Sequence, residues 1–484
     1  MRAIVVLGVV VLMVCAGCAA PVNPSDSTTR PGSDTAAGQP AGMATADDPA
    51  EDRLGWEDGY WHNATLTTVD PDDGFSADER HAVLARAKAR VEYLRGLEFA
   101  GDVDFSIRSR SNLSTGSGDP SAALRRFDNA KFEALFLVGG ETDSIETQSE
   151  ARNESIAGYY SPAEDAIVLV SDSSTPTLRS ERTLAHELVH ALQDQHFNLS
   201  ALPAAKTRDA HNGRNGLLEG DPTAVEQAYM ERCGAEWSCV HTDTAATDGG
   251  GSNPSSPHLG VFMLQFFPYS DGPDFVEAVR AEGDWATVND AYGNPPDTAA
   301  EVINPAAYPD FSPRNVSLTD SLRNGWERVR PPNRADHGTL GQSALAAAFG
   351  YTIYDDYNES AVLTPEELLN LGPGGVDSTD PIKYDPPPVR GWTGDRIHVY
   401  HRNEATAYRW RLTWESASAA TRFLNAYQDL LRHWGGKRTD AGDWRLPAES
   451  PFAGAYHIDR VGEVVTVAHA DSPGTLADIS PAAR

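Results

Sequence analysis

Two histidines and a glutamate within residues 183–193 have the types and spacing to bind a metal ion and move a proton. The segment reads Thr-Leu-Ala-His-Glu-Leu-Val-His-Ala-Leu-Gln, so His186 and His190 are four residues apart and Glu187 follows the first of them. On an α-helix both imidazoles leave one face, about one turn apart. Glu187 is rotated by about 100° from His186, within reach of a metal-bound water. The spacing predicts one Zn²⁺ held by His186 and His190, with Glu187 as general base. A pair of structural histidines without metal is the alternative.

A hydrolytic zinc site needs a third protein ligand and an open position for water. Glu219 follows two leucines, so we expect it to point inward from an apolar element, and we predict it as that ligand. Asp221 and Glu226 are nearby acids that can orient a ligating histidine by accepting its second N–H. Pro222 disfavours α conformation at Asp221. The sequence therefore also allows Asp221 to be the N-cap of a helix that begins at Pro222, with no metal role.

His196 lies six residues after His190, the spacing at which metzincins place a third histidine ligand. The intervening turn position holds Gln193, where those enzymes have glycine. On an uninterrupted helix, His196 lies about 9 Å beyond His190 and about 120° around from it. We therefore expect His196 to support a ligand or to be structural, and not to bind the ion.

The elements that must position these residues can be read from periodicity. Residues 77–97 and 125–137 have helical spacing, residues 103–109 alternate as a strand, and residues 158–170 predict a strand or strand pair directly upstream of the zinc helix. Such a strand can bind a substrate backbone at its edge. Thr175 is the predicted N-cap of the zinc helix and Pro176 its first residue.

The second half of the chain predicts a helical lobe followed by a separate module. Helices are expected at residues 258–267, 274–282 and 340–349, after a Gly/Ser/Pro-rich loop. Past the proline-rich stretch 371–390, alternation at residues 395–401 and 407–413, a helix at 416–434 and a hairpin at 455–469 indicate a β-β-α-β-β module. The fold class is therefore α+β: a zincin-like core at 56–243, a mainly helical lobe at 258–370, and the C-terminal module at 391–471.

Composition limits the partners. The chain has 484 residues with a formal charge of −31 and a pI near 4.7, so nucleic acid is excluded as a partner because phosphate binding needs basic patches. Lysine is scarce among the 39 basic residues. An acidic, lysine-poor surface is typical of proteins from salt-loving archaea, where salt screens the self-repulsion. An ordinary acidic secreted protein is the alternative.

The N-terminus has the features of an export signal. Residues 1–17 form a short apolar segment that ends in a lipobox-like sequence before Cys18, which predicts a lipoprotein signal peptide and a lipid anchor on Cys18. Residues 18–55 predict a disordered tether. Cys233 and Cys239 are expected to form a local disulfide outside the cytoplasm, with zinc binding as the weaker alternative. The predicted location is the cell surface.

Residues 183–197 together with 217–221 resemble a family of surface lipoproteins from haloarchaea, with bacterial relatives, that is similar to gluzincin metallopeptidases around the H-E-x-x-H helix. Further similarity lies at residues 268–276, 283–292 and 302–305. The resemblance implies a zinc metalloendopeptidase with Glu219 as the downstream glutamate ligand and a peptide or protein as substrate. A non-catalytic surface lipoprotein, using the helix for structure or binding, is the second interpretation.

Overall fold

The structure is a computed structural model that describes residues 49, 52–67, 69, 76–110, 119–171, 178, 181–202, 204–240, 258–355, 357–358 and 360–480. The predicted signal peptide, the predicted lipidation site Cys18, most of the predicted tether and the predicted N-cap Thr175 with Pro176 lie outside these residues. Within them, none of the helices combines the length and apolar character that a membrane span requires.

Helices and strands are interleaved along the chain. The helices are α1 (Ala77–Arg95), α2 (Ala122–Ala134), α3 (Ser144–Ser155), α4 (Glu181–Phe197), α5 (Arg208–Arg232), α6 (Leu259–Ala281), α7 (Asp284–Ala291), α8 (Ala299–Ile303), α9 (Gly341–Tyr351), α10 (Pro365–Leu368), α11 (Ala417–His433) and α12 (Pro473–Ile479). The strands are β1 (Trp56–Glu57), β2 (Tyr60–Trp61), β3 (Asp104–Ser109), β4 (Gly158–Ser161), β5 (Ala166–Ser171), β6 (Glu327–Arg328), β7 (Leu371–Gly372), β8 (Gly375–Val376), β9 (Trp392–Arg402), β10 (Ala405–Trp414), β11 (Lys437–Arg438), β12 (Trp444–Leu446), β13 (Gly454–Val461) and β14 (Val464–Ala470). The fold class is α+β.

A three-stranded sheet packs beside the helix that carries His186 and His190. Its order is β3-β5-β4, with β3 parallel and β4 antiparallel to the central strand β5. Ile167 and Leu169 of β5 lie in one hydrophobic core with Leu184 and Leu188 of α4. Because β4 pairs on one side with β5, its other side is a sheet edge.

The start of α4 is held by a buried ion network. The Glu181 carboxylate pairs with Arg86 at 2.5 Å and with Arg90 at 2.9 Å, and all three side chains are at most 1% exposed. The hydroxyl of Tyr229 from α5 donates to the same carboxylate. Buried charges persist where they are paired and fully hydrogen-bonded, so this network fixes α4 between α1 and α5.

Glycines let α5 approach its neighbours closely. A side chain at Gly220 would overlap the backbone of Gly272 in α6, and one at Gly216 would overlap Val302 in α8. Since Gly216 and Gly220 are four residues apart, they lie on one stripe of α5, and this stripe sets the depth at which α5 carries Glu219 into the protein.

Prolines do not end the helices where local sequence suggested. The helix predicted to begin at Pro222 is instead the continuous α5, in which Pro222 is interior. Likewise, the two helices predicted at 258–267 and 274–282 are the single helix α6, which contains Pro268 and Pro273. Pro222 and both α6 prolines are buried, so tertiary packing outweighs the local preference.

The C-terminal part is a seven-stranded antiparallel sheet in the order β11-β12-β13-β14-β10-β9-β6. It contains the predicted β-β-α-β-β arrangement, with α11 packed through Phe423 and Tyr427. One hydrophobic core spans this sheet and the helices α2, α5, α6 and α9. Asp395 of β9 reinforces the junction, because it accepts backbone N–H groups from Leu340 and Gly341 at the start of α9.

Candidate metal centre

The histidines of α4 and Glu219 of α5 come together inside the protein. Nε2 of His186 lies 3.5 Å, and Nε2 of His190 3.3 Å, from Oε2 of Glu219. The three ligand atoms lie within 4.8 Å of one another, and no other part of the described chain groups three such residues in this way. All three side chains are at most 3% exposed. Because α5 continues through Pro222, Glu219 lies in mid-helix and points at the turn that carries both imidazoles.

The donor set fits zinc. A tetrahedral Zn²⁺ with ligand bonds of about 2.0–2.1 Å separates its ligand atoms by roughly 3.4 Å, which matches both measured separations. Nε2 of His186 and Oε2 of Glu219 are buried and have no hydrogen-bond partner among the described residues. Buried polar atoms without partners are costly, and a cation between them would satisfy both.

His186 is oriented by Glu226. The His186 Nδ1–H donates to Oε2 of Glu226 at 3.1 Å, and the other carboxylate oxygen accepts from Arg182 at 2.6 Å. A hydrogen on Nδ1 leaves the Nε2 lone pair for a metal. The structure thus places Glu226 in the orienting position proposed for it from the sequence.

His190 is oriented by Gln193, one turn further along α4. The His190 Nδ1–H donates to Oε1 of Gln193 at 2.8 Å, while the Gln193 amide donates to the carbonyl of Leu218 at 3.0 Å. That carbonyl is an acceptor only, so it fixes which end of the Gln193 side chain faces His190. In a regular helix the N–H of residue 222 would bind it, but Pro222 has none. Pro222 therefore frees the carbonyl that orients Gln193.

Asp221 takes a different position from the one expected. It contacts neither imidazole directly. Instead it pairs with Nε of Arg95 at 2.8 Å and accepts the hydroxyl hydrogen of Tyr292 at 2.7 Å. The Tyr292 oxygen in turn accepts from the Gln193 amide at 2.7 Å. Asp221 thus supports His190 through two intermediate side chains.

Glu187 lies beside the ligands without belonging to them. Its side chain is fully buried, and burial raises the pKa of its carboxyl group, an effect that the nearby imidazoles oppose. The backbone N–H of Tyr160 on β4 faces this carboxylate, although neither oxygen has a well-formed hydrogen bond among the described residues. Glu187 is therefore a carboxylate poised between the metal ligands and the sheet edge, with a raised affinity for a proton.

The ligands carry the charge balance of a cation site. Burial alone would lower the pKa of His186, but the neighbouring carboxylates of Glu219 and Glu226 raise it to about 9. Burial would likewise raise the pKa of Glu219, but the two histidines lower it to about 2. Without a metal, a proton on the His186 imidazole supplies positive charge beside these carboxylates, and a divalent cation would replace it.

The remaining predicted site residues lie elsewhere. Helix α4 is unbroken through His196, whose Nε2–H donates to the carbonyl of Glu98 at 2.7 Å, so His196 ties α4 to the chain after α1. The sulfur atoms of Cys233 and Cys239 are bonded at 2.01 Å and close the chain after α5. Neither feature contacts the metal ligands.

Three supporting residues were missed in the sequence: Gln193, Tyr292 and Arg95. Gln193 was noted only as the residue that replaces a glycine, although its position three residues after His190 puts it on the same helix face. That spacing is a readable signal. Arg95 reaches the site from α1 and Tyr292 from just after α7. Each is about one hundred residues from Gln193, and no local pattern indicates either of them.

Replacing Gln193 by Met, which keeps its size and removes its polar atoms, is expected to weaken zinc binding by roughly 10- to 100-fold, the usual cost of losing a group that orients a ligating histidine. Competition with a chromophoric chelator measures the dissociation constant. The matched control is Gln195→Met, since among the described residues Gln195 bonds only to the surface backbone at Ala100 and Gly101. Equal affinities of the two variants would contradict the assigned role.

Comparison with known families covers a different part of the chain. A family model described as "Domain of unknown function (DUF8575)" matches residues 327–480, about a third of the sequence, which includes the seven-stranded sheet and excludes the metal centre. Neither a curated protein nor a solved structure matches the chain. The function must therefore be argued from the site itself.

Proposed function

We propose that the protein is a zinc metallopeptidase with a zincin-like core, in which His186, His190 and Glu219 hold one Zn²⁺ and Glu187 is the general base. The observation that carries the proposal is the convergence of three ligand atoms, with both histidine Nε2 atoms within 3.5 Å of Oε2 of Glu219, beside the buried carboxylate of Glu187, which is not one of the ligands. Structural zinc sites use four protein ligands, whereas hydrolytic sites use three. The described residues supply three.

The chain's own groups account for the proton movements of peptide hydrolysis. A zinc ion bound here would lower the pKa of a water molecule and polarise a carbonyl group. Glu187 accepts a proton at its carboxylate as the water attacks the peptide carbonyl, and it returns that proton to the leaving amine. Its raised pKa suits the first transfer, because burial stabilises the protonated form that results.

The edge of β4 offers a binding surface for an extended peptide. Tyr160 is buried, with its hydroxyl shared between Asp165 and Asp194, so its side chain is structural. Its neighbour Tyr159 is half-buried on the edge strand. A substrate that adds to this edge as a further strand would bring its backbone past Glu187. We propose an extracytoplasmic, lipid-anchored location for the protein from its sequence; the residues that would carry the anchor lie outside the described part.

A second candidate is a non-catalytic metal site. It is favoured by the burial of all four central side chains, since Glu187 is fully buried and His186, His190 and Glu219 are at most 3% exposed. A substrate reaches such a site only if the surrounding segments move apart. In this case the metal would stabilise the packing of α4 against α5 and would catalyse nothing.

Metal removal separates the two functions. The peptidase should lose hydrolysis of a denatured protein substrate on chelation, should regain it with one equivalent of Zn²⁺, and should keep most of its thermal stability. A structural site would instead show a large fall in melting temperature, because its binding free energy is folding free energy. At high salt, metal analysis measures the zinc content, melting curves measure the thermal stability, and a casein-cleavage assay measures hydrolysis. A chain that binds one zinc yet hydrolyses nothing would refute the peptidase proposal.

A further inference from the structure

The face of the seven-stranded sheet opposite its hydrophobic core concentrates arginine. Along β9 the side chains alternate, so Ile397 and Val399 enter the core while Arg396 and His398 face the other side. On the neighbouring strand β10, Arg411 lies directly opposite Arg396, and Arg409 lies directly opposite His398. Directly opposite residues of an antiparallel pair share a face. Strand pairing therefore places Arg396 and Arg411 next to each other on this face.

Arg396 and His398 line a cavity of about 430 Å³ on this face. The other lining residues are Arg328 from β6, Asp336, and the segment 315–318 that crosses the sheet. A volume of this size falls within the range of sites for small molecules. The cavity is separate from the metal centre: it belongs to the C-terminal sheet, and none of its lining residues is a metal ligand.

Several nitrogen atoms on this face are buried and lack partners within the described part of the chain. His398 is 2% exposed, and its Nδ1–H donates to Oδ1 of Asp320 at 2.8 Å, but its Nε2 bonds to nothing. Arg396 reaches only Asn315, at 3.4 Å, and its Nε is unpaired. The Nε of Arg409 is also unpaired. Buried polar groups of this kind are ordinarily satisfied by protein, water or ligand.

The charges on this face do not balance. Asp320 and Asp336 both lie near Arg328, at 3.4 and 3.5 Å, whereas Arg396, Arg409 and Arg411 form no ion pair within the described part of the chain. Like charges directly opposite each other in a sheet are destabilising, and this excess of positive charge occurs in a chain whose net charge is −31. A bound anion would neutralise it.

We propose that the cavity defined by Arg328, Arg396 and His398 binds a small molecule that carries an oxyanion and an adjacent hydroxyl group. The Arg396 guanidinium group holds the oxyanion, for which its planar donors are suited, while Arg328 is already paired with Asp320 and Asp336. His398 accepts a hydrogen bond from the hydroxyl group through Nε2, since its Nδ1–H already faces Asp320. Burial and the neighbouring arginines lower the pKa of His398 to about 4, so its imidazole is neutral and Nε2 is an acceptor.

Two kinds of ligand share this chemistry: phosphate groups that retain a P–OH, and hydroxy acids such as sugar acids. Inorganic phosphate at pH 6.5 and glucuronate represent them, while sulfate is an oxyanion without a hydroxyl group. The full chain, loaded with zinc, is titrated with each compound by calorimetry and by thermal shift. We expect phosphate or glucuronate to bind and to raise the melting temperature, with sulfate weaker. Which of the two binds more tightly identifies the source.

Variants test the assignment. Arg396→Gln is expected to reduce the affinity for the preferred ligand by roughly 10- to 100-fold, because one charged hydrogen bond is lost. Without ligand it should melt no lower than the wild type, because the repulsion from Arg328 is gone; a merely structural arginine would lower the melting temperature. Arg396→Lys keeps the charge and should weaken binding less. Arg445→Gln, at an exposed position on β12, is the control. The proposal is overturned if neither compound binds at millimolar concentration, or if Arg396→Gln binds as tightly as Arg445→Gln.

Discussion

Replacing Glu187 by Gln is expected to reduce kcat/KM for peptide hydrolysis by about 10²- to 10⁴-fold, the range associated with loss of a general base. The amide keeps the size and shape of the side chain but cannot accept the proton at neutral pH. Since Glu187 is not among the ligands, the variant should still bind one Zn²⁺. Steady-state kinetics and metal analysis on the same preparation measure both effects.

The same variant should have a second, opposite effect on stability. Burial raises the pKa of Glu187 above its ordinary value, so the folded protein loses stability as the pH rises from about 4.5 through that pKa. Gln has no such penalty, and Glu187→Gln should melt at a higher temperature than the wild type above neutral pH. Glu231→Gln, on the exposed side of α5, is the matched control. Undiminished hydrolysis by Glu187→Gln would remove Glu187 from the mechanism and leave its burial unexplained.

The zinc ligands were accessible from the sequence because helical geometry is local. The spacing of His186 and His190 fixes their common face once the segment is helical, and the two leucines before Glu219 indicate that this residue points inward. The structure brings these three side chains together. Strand positions were accessible for the same reason: alternation at residues 395–401 and 407–413 corresponds to β9 and β10.

The conformation around Pro222 was not accessible from the sequence, since the local preference and the tertiary context disagree there. Proline ordinarily ends a helix because it removes one hydrogen bond and clashes with the preceding turn. In α5 the lost bond is replaced from outside, by the Gln193 amide on the Leu218 carbonyl. A replacement of this kind depends on how α4 and α5 pack, and that packing depends on small residues such as Gly220 that meet α6.

The supporting network could not be predicted either, because its members are distant in sequence. Arg95 and Asp221 are 126 residues apart, and Gln193 and Tyr292 are 99 apart. The sequence indicated that Asp221 could orient a histidine. That its partner is Arg95 follows only from the position of α1 against α5. The functional consequence is that His190 depends on two helices besides its own, α1 and α5, and on Tyr292 directly after α7.

Arg95→Met is the second change with a large expected effect, because it leaves Asp221 charged and buried. The Arg95 and Asp221 side chains are at most 1% exposed and pair at 2.8 Å. Breaking a buried ion pair by removing one partner costs about 3–5 kcal/mol. Urea denaturation in the presence of a chelator measures the free energy of unfolding directly, without a contribution from bound metal. Arg445→Met, at an exposed position, should change it by less than about 0.5 kcal/mol.

The double variant Arg95→Met with Asp221→Leu distinguishes a buried charge from lost packing. If the uncompensated Asp221 carboxylate is the cause, removing it should restore part of the stability lost in Arg95→Met, since a buried ion pair can be replaced by apolar groups at little cost. Arg95 Cζ also lies 4.3 Å from the centroid of the Trp285 ring. If Arg95 acts instead through this contact, the double variant should be at least as unstable as the single one. The double variant should bind zinc more weakly than Arg95→Met, because Tyr292 loses the Asp221 acceptor that holds it against Gln193.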